Sequence, residues 1–211
     1  MIILLMGAPG SGKGVQGQAL IERLGLVRIS TGDMLREQIS QQSSLGVQAK
    51  EYMDQGLLVP DELIVALLKM RIKASDCQKG FILDGFPRTK SQAKALTDHG
   101  LLPDHIVFLD VPKELIIQRI CGRLTHTASG RVYHEAFSPP KTEGMDDLTG
   151  EALVRRADDN EDSVRRRLAV FDRQTLPVVA YYQAHGEVAI HRVDGVGDPD
   201  TVRSRVLSLF H

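Results

Sequence analysis

The chain has 211 residues, long enough to bury a full core, and its length predicts one domain with insertions. Twenty-six Lys+Arg against 27 Asp+Glu leave a net charge of −1, so nothing in the composition draws the chain to nucleic acid or to an anionic membrane. The apolar start is only six residues long, and Cys77 and Cys121 form no CxxC, so the expectation is a soluble, cytoplasmic protein with reduced thiols.

Met1 to Met6 reads as a buried strand, and Gly7-Ala8-Pro9-Gly10-Ser11-Gly12-Lys13-Gly14 follows it directly. Glycines at 7, 10, 12 and 14 let the backbone turn its N–H groups inward, and Lys13 brings an ammonium to the same place. A helix predicted over Val15 to Leu24 adds its positive end, so strand, loop and helix together predict a phosphate cradle. The Ser or Thr that usually follows the lysine and holds Mg²⁺ is missing: Gly14 and Val15 stand there, so the metal must be organised elsewhere.

Further along, Leu26 to Ile29 is a short strand, and Ser30-Thr31-Gly32-Asp33 offers caps to a helix beginning near Met34. Polar helical sequence fills 33–56, and Asp61 is expected to cap a periodic helix carrying Ile64, Leu67, Leu68 and Ile72. Phe81 to Asp84 and His105 to Leu109 read as strands covered on both faces, with a fifth strand at Glu187 to Val193. Helices at 89–99, 112–122, 160–184 and 200–210 alternate with them, predicting an α/β fold with a doubly wound, five-stranded parallel sheet whose ligands sit at the carboxyl ends of its strands. Two segments break the alternation: a small helical excursion at 30–59, and a Gly-, Pro-, Ser- and Thr-rich stretch at 122–159 that is too long for a bare loop and reads as a small β-rich lid.

Asp84 ends an apolar strand, where a Walker-B carboxylate would face a nucleotide's Mg²⁺ through water; capping or a solvated turn is the alternative. Arg88, in Asp84-Gly85-Phe86-Pro87-Arg88, stands where a guanidinium can grip a phosphate in bidentate fashion. Arg36, Arg88, Arg119, Arg123, Arg156 and Arg167 flank the sheet edge or the two irregular segments, and they either converge on phosphoryl oxygens or decorate solvated helix faces. Bulk basicity cannot decide, because 119–167 holds nine basic and nine acidic residues. Gln92 is equally open, as the end of a Thr89-Lys90-Ser91-Gln92 capping box or as a partner for an adenine edge.

Taken in order, the phosphate loop, Ser30-Thr31-Gly32-Asp33-Met34-Leu35-Arg36, Asp84-Gly85-Phe86-Pro87-Arg88, Gly130-Arg131-Val132-Tyr133-His134 and Val193-Asp194-Gly195 resemble the adenylate kinases in their long-lid form over essentially the whole chain. The resemblance implies reversible phosphoryl transfer from MgATP to AMP giving two ADP, by a cytoplasmic monomer with a core at 1–29, 60–121 and 160–211, an AMP-binding insertion at 30–59 and a lid at 122–159. On the AMP side it points to Thr31, Arg36, Leu57, Leu58, Val59, Gly85, Phe86, Pro87, Arg88 and Gln92, which favours base recognition for Gln92. On the ATP side it points to Gly10, Ser11, Gly12, Lys13, Gly14, Val15, Arg119, Arg123, Val132, Tyr133 and Gly197, while Arg156 and Arg167 match lid-side arginines that bind the phosphates between the nucleotides. Lys13, Asp84, Arg88, Arg123, Arg156 and Arg167 make up the implied catalytic set. Relatives with a zinc-bearing lid carry cysteine-rich ligand pairs where this chain has His126, Ser129, Asp146 and Thr149, so a hydrogen-bonded lid without structural zinc is expected. A kinase of UMP or CMP and a nucleotide sensor without turnover are the two rival readings.

Overall fold

The computed structural model of the chain describes residues 1–55 and 57–210. The expected helical stretch through 33–56, the insertion at 30–59 and the core segment 160–211 each include Gly56 or His211, which lie outside those described residues.

Five parallel strands form the main sheet: β1 (Ile2–Gly7), β2 (Val27–Ser30), β3 (Phe81–Asp84), β4 (His105–Asp110) and β7 (Ala189–Asp194), in the order β2-β3-β1-β4-β7. Residues alternate across the pleat, so Leu4, Met6, Leu83, Ile106 and Phe108 join one apolar cluster, and Ile3, Leu5, Ile82, Val107 and Leu109 the other. That two-sided burial is why these strands read as unbroken apolar runs. Helices α1 (Lys13–Leu24) and α9 (Pro199–Leu207) cover one face. Helices α4 (Asp61–Arg71), α5 (Lys90–Asp98), α6 (Lys113–Cys121), α7 (Glu161–Val170) and α8 (Leu176–Gln183) cover the other, joined by α2 (Thr31–Ser40) and α3 (Ser44–Asp54). Because β1 is central and the chain fills one side of it before crossing to β4, the loop after β1 opens at the switch point of the sheet.

The remaining two strands, β5 (Arg123–Thr125) and β6 (Val132–His134), form a separate antiparallel pair inside 122–159, extended by isolated bridges Thr125–Val154, His134–Ser138 and Met145–Ala152. This is the small β-rich unit expected there.

Several boundaries differ from the sequence reading, each for a local reason. The first helix begins at Lys13, with Gly12 capping it at φ +96, so Gly14 lies inside the helix and is not one of the turning glycines. Helix α2 begins at Thr31, because Ser30 accepts the Asp33 N–H at 3.2 Å and closes the cap three residues earlier than expected. Pro60, not Asp61, holds the capping position of α4. The Asp61 carboxylate is instead taken by side chains of the next helix, accepting from Thr89 Oγ1 at 3.1 Å and Gln92 Nε2 at 2.5 Å. The single helix expected over 160–184 is two helices joined by a π-helical turn, Phe171–Thr175, just before Pro177, which lacks the N–H an uninterrupted helix requires. The turn aims Thr175 Oγ1 at the Arg88 carbonyl, 2.9 Å away.

Candidate functional site

The loop after β1 is built on three glycines in conformations that L side chains rarely adopt: Gly7 (φ +142), Gly10 (φ +78) and Gly12 (φ +96). At Gly7 the reason is also spatial, since a Cβ there would lie 2.7 Å from both the Leu109 carbonyl oxygen and Ser11 Oγ. Lys13 donates from its ammonium to the carbonyls of Gly7 at 2.9 Å and Ala8 at 2.8 Å, folding over its own loop. Desolvation in the cleft pulls its affinity for protons down to about 8; Asp84 opposes this, while Arg88, Arg167 and Arg123 add to it.

These influences bring together Lys13 and five of the six arginines weighed from the sequence; Arg119, lowered by burial alone, lines the same cleft without joining their mutual repulsion. Arg88 falls to about 10 through burial and the charge of Arg167 and Arg36, with Asp84 opposing. Arg156 falls to about 10 through burial, Arg123 and Arg36, and Arg167 is lowered by burial with Arg123 and Arg36 contributing. Six like charges from the start of α1, α2, the β3–α5 loop, β5, the 155–159 segment and α7 thus face one space and repel one another. They are held apart by anchors: Arg123 forms a fork on Asp159, Arg167 donates to Asp158 at 2.9 Å, Arg36 pairs with Asp33, and Arg88 Nε donates to the Gly85 carbonyl at 2.7 Å. Asp158 and Asp159 were missed by sequence reasoning. Their signal was present in the equal acidic count of 119–167, which supplies counter-ions to the arginines rather than diluting them.

A cleft of ≈ 2200 Å³ is lined by every residue nominated for the nucleotides, from Gly10 to Gly197. Arg119 Nη2 reaches the Gly197 carbonyl at 3.1 Å, joining two nominated residues distant in sequence. Thr31 Oγ1 donates to the Gly85 carbonyl at 3.0 Å, and Gly85 itself stands at φ +82, a conformation that L side chains rarely adopt. Gln92 is 2% exposed; its Oε1 accepts from the Arg88 N–H at 2.6 Å while its Nε2 donates to Asp61, a variant of the capping box reaching one residue further back. An adenine edge would have to exchange with both bonds.

A family model described as adenylate kinase matches residues 5–187. The chain belongs to the adenylate kinase family. It is therefore a nucleoside monophosphate kinase, a transferase that moves a phosphoryl group between adenine nucleotides, and its glycine loop is the P-loop of that fold. No helix among the described residues is long and apolar enough to cross a membrane.

In the kinase's 122–159 segment the four residues His126, Ser129, Asp146 and Thr149 meet as expected: His126 Nδ1 and Ser129 Oγ lie 2.7 Å apart, and Thr149 donates to Asp146 from N at 2.9 Å and from Oγ1 at 3.0 Å. Sequence reasoning missed three further members. Arg131 clasps Asp146 through Nε at 2.8 Å and Nη2 at 2.6 Å, Tyr133 donates its hydroxyl at 3.0 Å, and Glu151 Oε2 lies 2.5 Å from His126 Nε2. The Arg131 fork, then the Thr149 and Tyr133 bonds, hold the Asp146 carboxyl far below the usual carboxylate range against the effect of burial. Tyr133, nominated for the ATP side, is buried with its hydroxyl inside this network, whereas Val132 beside it is exposed.

Proposed function

We propose that the kinase transfers the γ-phosphoryl of MgATP to AMP, reversibly, through the residues gathered in this cleft. The convergence of Lys13, Arg36, Arg88, Arg123, Arg156 and Arg167 on one cleft carries the proposal, because a space that lowers the proton affinity of Lys13, Arg88, Arg156 and Arg167 is built to receive a polyanion. The attacking group is a phosphate oxygen of AMP, already ionised near neutral pH, so no side chain has to remove a proton. On binding, Lys13 exchanges its loop carbonyls for β- and γ-phosphate oxygens, and Arg88, Arg123, Arg156 and Arg167 surround the transferring group.

Thr31, Arg36, Leu57, Leu58, Val59, Gly85, Phe86, Pro87 and Gln92 are assigned to the AMP side, and Gly10 to Val15, Arg119, Val132, Tyr133 and Gly197 to the ATP side. The segments 30–59 and 122–159 act as AMP-binding insertion and long lid, the lid closing to exclude the water that would otherwise accept the phosphoryl group. A bound Mg²⁺ would supply positive charge against the polyphosphate. The oxygen donors present fit a hard cation reached through water: Asp84 at the end of β3, largely shielded, and Asp33 in the first turn of α2. The motif resemblance also carries the cytoplasmic monomer as part of the proposal.

The deciding measurement is ADP formation from ATP with AMP, GMP, CMP and UMP in parallel. Turnover with AMP should dominate; comparable turnover with UMP or CMP would replace the acceptor assignment, and none with any acceptor would favour a sensor.

A further inference from the structure

Arg28 on β2 belongs to none of the phosphate-binding sets, yet its side chain reaches three elements in the region where the metal would be organised. Nη1 donates to the Gly14 carbonyl at 3.0 Å, Nη2 donates to Asp33 Oδ2 at 2.7 Å, and Asp84 Oδ2 lies 3.9 Å from Nη1. The helix α1 makes room for it. A Cβ on Gly17 would meet Arg28 Cδ at 2.9 Å and Leu5 Cδ1 at 3.1 Å, and one on Gly14 would meet Arg28 Nη1 at 3.3 Å, so the arginine lies flat along the glycine face of α1. The guanidinium is fixed along its length, and its planar fork spans acceptors from three separate elements: α1, α2 and the end of β3.

We infer that Arg28 is a positioning residue that occupies the carboxylate pair Asp33 and Asp84 before nucleotide arrives and competes with the divalent cation for that pair. The inference rests on the reading of Asp84 as a carboxylate that faces the metal. A P-loop without a hydroxyl after its lysine leaves more of the metal's placement to these two carboxylates, and two carboxylates aimed at one place repel unless a cation lies between them. Arg28 is that cation in the nucleotide-free protein. When MgATP enters, the dication takes the charge role and the guanidinium withdraws towards the Gly14 carbonyl, which it already holds. Asp33 also pairs with Arg36 through its other oxygen, so the exchange reaches a residue assigned to the AMP side.

The test is the affinity of Mn²⁺ for the complex of the protein with a non-hydrolysable ATP analogue, read as free Mn²⁺ by electron paramagnetic resonance. Arg28→Gln, which keeps a donor for the Gly14 carbonyl but loses the charge, should bind Mn²⁺ about threefold to tenfold more tightly, given partial solvent screening where Asp33 is half-exposed and Arg28 and Asp84 are more shielded. Arg28→Lys, which keeps the charge, should stay within about twofold of the native value on the same argument. Unchanged or weaker Mn²⁺ binding in folded Arg28→Gln overturns the inference. Asp84→Asn separates the two readings: if it leaves Mn²⁺ affinity unchanged, the metal-facing role of Asp84 fails first, and if it weakens binding while Arg28→Gln does not strengthen it, only Arg28 is misassigned. Should Arg28→Gln not fold, the native protein still decides. Its Arg28 guanidinium N–H exchange, followed by ¹⁵N NMR, should be slow with the analogue alone and faster once Mg²⁺ is added; equal protection in both states overturns the exchange.

Discussion

The nucleotide cleft and the β5–β6 segment are both rich in charge, and they use it in opposite ways. In the cleft, Lys13, Arg88, Arg156 and Arg167 all lose proton affinity, with burial leading and their like-charged neighbours adding to it. In the β5–β6 segment, Asp146 accepts from Arg131, Tyr133, Leu148 and Thr149, so a shielded charge is fully partnered. The cleft stores unfavourable charge that a polyphosphate relieves, whereas the small sheet, with few apolar residues to bury, is held by polar satisfaction. A charge deleted from the first should cost function, and one deleted from the second should cost stability.

The largest expected effect breaks the comparison on the cleft side. Lys13→Ala and Arg88→Ala should each fold with a melting temperature close to native and lose about 10² or more in kcat, because each removes positive charge where the transition state is most anionic. Near-native kcat in either purified variant would remove that residue from the catalytic set. On the other side, Asp146→Asn should lower the melting temperature and leave Arg131 without its counter-ion. The sign with pH follows from the depressed Asp146 carboxyl: its contribution is complete above the ordinary carboxylate range, near pH 4, and is lost as the pH falls below it, so the native protein should show more acid destabilisation than the variant. The same polar network predicts no stoichiometric zinc by elemental analysis and a melting temperature unmoved by a chelator; about one zinc per chain would show that metal, not hydrogen bonding, holds the segment.

The smallest effect sharpens the cleft itself. Val15 is 38% exposed in the first turn of α1, so Val15→Thr adds a hydroxyl without disturbing a packed core. One hydrogen bond to a charged group is worth roughly 1.5–3 kcal/mol at best and less where water already serves, so ATP should bind up to about tenfold more tightly while the AMP KM barely moves. Weaker ATP binding on titration would mean that the valine packs against something a hydroxyl disrupts.

The strands and the P-loop were legible because their signals are local: unbroken apolar runs and glycines at fixed spacing. The arginines were legible as candidates only, since side-chain identity does not say which way a helix turns. The misread features share one cause, competition between local and distant partners. Asp61 looks like a helix cap and instead serves Thr89 and Gln92, and Gly14 looks like a turning glycine and instead lies inside α1, where its carbonyl accepts from Arg28.

By itself, then, the sequence determined the parallel α/β sheet, the phosphate loop at its carboxyl edge and the family to which the motifs belong, because periodicity, glycine conformational freedom and motif order are properties of short stretches of chain. The tertiary structure alone decided that these arginines share one cleft, that Asp158 and Asp159 hold two of them, that Arg131 and Tyr133 complete the Asp146 network, and that Arg28 pairs with Asp33 beside Asp84. Charges act through space, over a few ångströms between residues dozens of positions apart, and no spacing along the chain records that distance.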